Sequence, residues 1–107
     1  MPDRDEIDAT VRQFHSAVLA SAEAMPDPVT EASRRCGELL AEWEGAGRRL
    51  PDAGPVLASA DALLVELYEA YPEGLPLTVR AAATEALTLL DEAAEQGFDL
   101  DRTAPSP

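Results

Sequence analysis

Apolar side chains recur every three or four residues in four stretches of this chain, and proline or glycine closes each stretch. That spacing is the repeat of an α-helix, and a row of apolar side chains at that spacing must be covered by another such row. Nothing reads as a strand, because no alternating run of β-branched residues lies between turn residues. The expectation is an all-α protein: an antiparallel up-down four-helix bundle over residues 1–98, followed by a short acidic, proline-containing tail at 99–107.

The first helix opens at Asp3, whose carboxylate is placed to cap while Glu6 reaches back. Its stripe is Ile7, Val11, Phe14, Val18, Ala22 and Met25, and it ends at Pro26. The second has Asp27 as cap and Pro28 in the first turn, then Val29, Ala32, Cys36, Leu39, Leu40 and Trp43 along one face until Gly45 and Gly47 break it. A link of about three residues between these helices makes them antiparallel neighbours. Residues 45–55 hold enough glycine and proline to forbid a continuous helix.

The third helix starts near Pro55 and stops before Pro72. Its seam is Leu57, Ala60, Leu64, Leu67 and Tyr71, with Val56, Leu63, Val65 and Tyr68 thickening it, so it is expected to be the most buried of the four. The fourth runs from Pro76 to Gln96 with Val79, Ala83, Leu87, Leu90 and Ala94 inward, Gly97 as a left-handed cap and Phe98 folding back. Pro28-Val29-Thr30 and Pro76-Leu77-Thr78 form a weak echo that hints at two similar hairpins.

A chain of 107 residues has room for one core. That core is thin, because 20 of the residues making up its 46% apolar fraction are alanine. No apolar run approaches the length of a membrane span, and the acidic N-terminus does not look like a secretory signal, so a cytoplasmic protein is expected. One cysteine, Cys36, allows no internal disulfide, and no Cys/His set suggests zinc.

Twenty-one acidic residues against eight arginines leave a net charge of −13, spread along the whole chain. A field of that sign repels phosphate backbones and anionic lipid, so neither nucleic acid nor membrane is an expected partner. Lysine and asparagine are absent and isoleucine occurs once, a bias that fits a high-GC bacterial genome better than any physical demand.

Side chains able to carry chemistry are few. His15 has Arg12 and Val11 one turn back and no carboxylate there, so it reads as an ordinary helix-flank residue. Cys36 lies on an apolar seam, where a thiol loses its nucleophilicity. Glu66, Glu69 and Glu73, like Glu38 and Glu42, share a helix face without the pattern of a calcium loop, and they read as a solvated surface. No phosphate loop, nucleophile elbow or catalytic triad is present, and neither an enzyme nor a bound metal or cofactor is expected.

The string Leu57-Ala58-Ser59-Ala60-Asp61-Ala62-Leu63-Leu64-Val65-Glu66-Leu67 resembles a stretch of the acyl and peptidyl carrier proteins. Alignment on Val65-Glu66-Leu67 puts Asp61 where that family has the serine bearing phosphopantetheine, so the likeness implies no prosthetic arm.

What remains is docking. Trp43 beside Arg48 and Arg49, and Tyr68 with Tyr71 near Leu75 and Leu77, are the candidate protein-binding groups, although each also suits plain core packing. The leading expectation is a non-catalytic module that binds another protein, as immunity proteins, antitoxins and adaptors do, with a homodimer as one form of it. A DNA mimic that fills the basic groove of a nucleic-acid-binding protein is the alternative from another class. A small apolar ligand held between helices is the third.

Overall fold

The structure, a computed structural model, describes residues 3–21, 23 and 25–98. Four helices follow in order, α1 over Arg4–Ala20, α2 over Asp27–Gly45, α3 over Gly54–Ala70 and α4 over Leu77–Glu95, with a 3₁₀ turn at Leu50–Asp52 before α3. No strand occurs among the described residues. The tail expected at 99–107 lies outside them, as does Ala22.

Each neighbouring pair is antiparallel. Arg12 of α1 reaches Glu44 near the end of α2, and Ser21 after α1 shares a 2.7 Å hydrogen bond with Thr78 at the start of α4. Pro28 early in α2 lines the same hollow as Glu66 late in α3, while Leu39 and Trp43 late in α2 meet Pro55 and Val56 early in α3. The chain therefore runs up, down, up, down around one core.

That core takes Ile7, Val11, Phe14 and Val18 from α1 and Val29, Ser33, Cys36, Leu40 and Trp43 from α2. From α3 it takes Val56, Leu57, Ala60, Leu63, Leu64 and Leu67, and from α4 Val79, Ala82, Ala83, Ala86, Leu89, Leu90 and Ala93. Ala53, Met25 and Leu75 close it from the connections.

Several expectations need correction. Helix α1 stops at Ala20 and not at Pro26, with Ser21 at its C-cap out of the helical region at φ −109° and ψ 11°. Met25 still reaches the core, from the link. Pro26 occupies the cap position of α2, no side chain caps it, and Asp27 is the first helical residue, with its charge at the positive end of the dipole. Gly45 is helical, and Gly47 alone ends α2. On α4, Leu87 and Ala94 face outward, while Ala82, Ala86, Leu89 and Ala93 turn inward, which lets the backbone of α4 come close to its neighbours. Helix α3 is the most buried of the four, as expected, but Val65 and Tyr68, which were expected to thicken its seam, are 47% and 45% exposed.

The two halves repeat one another more closely than the echo suggested. Every helix boundary in the second half lies 50 residues beyond its counterpart, Arg4–Ala20 against Gly54–Ala70 and Asp27–Gly45 against Leu77–Glu95. The buried row of α2, at 29, 33, 36, 40 and 43, recurs at 79, 83, 86, 90 and 93. Pro26 and Pro76 stand at the matching caps, and Gly47 and Gly97 at the matching ends, with φ of +92° and +97°. Arg48 N–H donates to the Trp43 carbonyl (2.9 Å) as Phe98 N–H does to that of Ala93 (3.1 Å), the bond of a Schellman motif. The match of Pro28-Val29-Thr30 to Pro76-Leu77-Thr78 is two residues out of register, since Val29 corresponds to Val79. The row of α1, at 7, 11, 14 and 18, recurs in α3 one residue short of the common shift, at 56, 60, 63 and 67.

Glycine makes this account testable. Gly47→Ala and Gly97→Ala each put a Cβ into a left-handed backbone and should lower stability by about 1 kcal/mol. Gly45→Ala, where an added Cβ meets nothing within 4 Å, should raise it by roughly 0.5–1 kcal/mol. Urea melts of the three variants give these values.

Candidate functional site

Helix α3 is apolar almost all round, so packing on the core leaves Ala58, Ala62, Val65 and Tyr68 on its outer side. Against it, α2 turns Pro28, Ala32, Arg35 and Leu39 outward along one flank. Small side chains on both helices leave a trough between them, open to solvent, of about 660 Å³. Its floor is Ala32, Leu39, Ala58 and Ser59, and its rims carry Glu31, Arg35 and Glu66. It continues into a hollow of about 210 Å³ beside Trp43 and Asp52 at one end, and one of about 230 Å³ beside Pro26 and Glu69 at the other. The trough thus runs nearly the length of the helix pair.

The equivalent junction of α1 with α4 holds a smaller hollow of about 290 Å³. Leu89 and Glu85 stand there where Leu39 and Arg35 stand in the trough, and Glu6 and Thr10 where Pro55 and Ser59 stand. Thr84, Thr88 and Glu92 complete a polar, acidic lining. One fold position thus carries two chemistries, apolar on one side of the molecule and anionic on the other.

The residues singled out from the sequence fall into two groups at opposite ends of the bundle. Trp43 is 3% exposed and its indole N–H donates to the Arg49 carbonyl at 2.8 Å, so the ring packs in the core and ties the connector down. Arg48 takes φ of +52°, a left-handed conformation that strains a residue with a Cβ, and its guanidinium reaches Asp8 (3.3 Å) and Asp5 (4.0 Å) on α1. The Arg49 side chain is exposed and makes no ion pair among the described residues. At the other end Tyr68 is exposed, while Tyr71 is half-buried with its hydroxyl on the Met25 sulfur at 3.4 Å. The structure does not bring these two groups together.

Buried polar groups lie elsewhere. The Cys36 thiol is pushed up by desolvation, partly offset by a side-chain hydrogen bond with Ser59; the Ser59 hydroxyl donates its proton to the Val56 carbonyl at 2.7 Å. Ser33 Oγ is buried without a partner among the described residues, and alanine stands at the equivalent position 83. His15, half-buried between α1 and α2, is held below its ordinary pKa by desolvation and by Arg12, against a ring hydrogen bond to the Ser33 backbone. Its imidazole lies on Gly37, where an added Cβ would sit 2.6 Å from Nε2. That contact explains a glycine in mid-helix, which otherwise costs about 1 kcal/mol against alanine.

Among the described residues no group of three or more His, Cys, Asp or Glu side chains could hold a metal ion, and no helix is long and apolar enough to cross a membrane. Comparison of the chain with protein-family models, with curated proteins and with solved structures returned no match.

Sequence reasoning missed the trough. The signal was there, in a helix carrying Ala58, Ala62, Val65 and Tyr68 beyond what one seam uses, but Val65 was counted with the seam, Tyr68 was grouped with Tyr71, and Ala58 and Ala62 were given no role.

The His15–Gly37 contact should appear as a coupling. Gly37→Ala in a His15→Ala background gains about 1 kcal/mol of helix propensity, whereas in the wild type the displaced ring removes that gain. A double-mutant cycle by chemical denaturation should return an interaction energy near 1 kcal/mol, and a value near zero contradicts the contact.

Proposed function

We propose that this protein is a non-catalytic docking module that receives an amphipathic helix of another protein in the α2–α3 trough. The observation that carries this reading is the difference between the two equivalent helix junctions. Both lie over the same core, yet one is lined mostly by apolar side chains and the other by threonine and glutamate, so folding alone does not require Pro28, Pro55 and Ala62 to line the trough.

Shape and charge describe the occupant. A trough about three helical turns long, floored by alanines, accepts a helix at close range, with small side chains along its buried stripe. The main rim carries Glu31 and Glu66 against one cation, Arg35, on a chain of net charge −13, so basic residues flanking that stripe are favoured. The same charge opposes a second copy of this chain, which would bring its own carboxylates to the rim. A compact ligand suits the trough less, because small-molecule sites enclose most of their occupant and this one lies open along its length.

The DNA-mimic alternative differs in its response to salt. Docking on an apolar floor should weaken only a few-fold between low and moderate ionic strength, whereas a surface of carboxylates standing in for phosphates should lose orders of magnitude.

The test uses partner capture from the native host. Ala62→Arg fills the trough from an exposed position and should leave the melting temperature unchanged while abolishing capture of the protein that wild type retains. Thr88→Arg in the acidic hollow should leave that capture intact. Retention by the Ala62 variant, or equal loss in both, would contradict the proposal.

A further inference from the structure

The repeat described above extends to packing. Of the contacts between helices, the most extensive are α2 on α3 and α1 on α4, which both join one hairpin to the other; α1 on α2 and α3 on α4, within each hairpin, are lighter. These pairs exchange when the hairpins exchange, as they must if each half is the same kind of unit meeting the same kind of surface. Sequence supports the equivalence at the shift of 50: Pro26 and Pro76, Val29 and Val79, Ala32 and Ala82, Leu39 and Leu89, Leu40 and Leu90, Glu42 and Glu92, Gly47 and Gly97 are identical pairs.

We infer that the chain is a tandem repeat of one self-complementary helical hairpin, and that a second copy of the chain can supply the hairpin that the first normally receives from itself. This is an interaction surface independent of the trough, since it is the core face that mediates it. In an exchanged dimer, α1–α2 of one copy covers α3–α4 of the other and every inter-hairpin contact is kept.

What distinguishes the closed monomer is the connector, whose contacts favour the closed form and whose strain opposes it. Gly47 and Arg48 are both left-handed there, Trp43 is bonded to the Arg49 carbonyl, and Arg48 reaches back to α1. Arg48 pays strain for a turn that an exchanged dimer does not need. The balance between closed and exchanged forms is therefore set by these few residues, because the buried surface is common to both.

The experiment removes the connector from the full chain by deleting residues 46–53, so that α2 meets α3 with no residues left to reverse direction. Native mass spectrometry and sedimentation should show wild type as a monomer and the deletion variant as a dimer of twice its mass, with helix content per residue preserved by circular dichroism. Adding Ala62→Arg to the deletion should leave that dimer intact, which separates it from any association through the trough. A deletion variant that remains monomeric, or that loses its helices, overturns the inference, as does a dimer that Ala62→Arg dissolves. As a second readout, wild type unfolded and refolded as a mixture of isotope-labelled and unlabelled chains at high concentration should yield mixed dimers, which mixing the folded proteins does not. Their absence at every concentration would count equally against it.

Discussion

Everything in this molecule depends on the seam where one hairpin lies against the other. The helices have little to hold them individually: only α1 has a side-chain cap, from Asp3, and none of the four carries a basic residue in its last turn to meet the negative end of its dipole. Helices of this length are marginal in water without tertiary contacts. The inward rows of α2 and α3, and of α4 and α1, supply those contacts, with Phe14, Ile7, Leu57, Leu63, Leu67 and Leu90 as the largest wholly covered side chains. Alanine at 60, 82, 83, 86 and 93 trades buried area for close approach, so the core is stable through fit rather than bulk.

A core made this way leaves surface over. Because α3 is apolar on more sides than the bundle covers, its outer face and the adjoining flank of α2 form a trough, while the matching flank of α4 against α1 is lined with threonine and glutamate. Beneath and beside the trough, the Cys36 thiol is desolvated and raised, and the His15 ring is held against Gly37. The docking function proposed for this surface rests on its shape and charge.

The four helices and their antiparallel order were readable from periodicity and from proline and glycine, and so was the Gly97 cap with Phe98 packed behind it. Periodicity resolves a face only to about one neighbouring position, which is why Leu87 and Ala94 were expected inward where Ala86 and Ala93 go, and why Ser33 was passed over. A proline marks where a helix can no longer be, not where it ends, hence Ala20 rather than Pro26. The candidate aromatics were chosen for their size, yet size draws Trp43 into the core, and the trough is built from alanines that draw no notice singly. Arg48 in a left-handed turn and Gly37 under an imidazole are consequences of tertiary approach, and no local pattern announces them.

The most direct test of this account is native-state hydrogen exchange on the intact protein. If the seam between hairpins holds the whole, backbone amides of the buried rows in all four helices, from Val11 and Leu40 to Leu64 and Leu90, should exchange through one common opening, with the same free energy and the same dependence on denaturant. A slow-exchanging core confined to α3 and α4, with α1 and α2 opening separately at lower free energy, would contradict it.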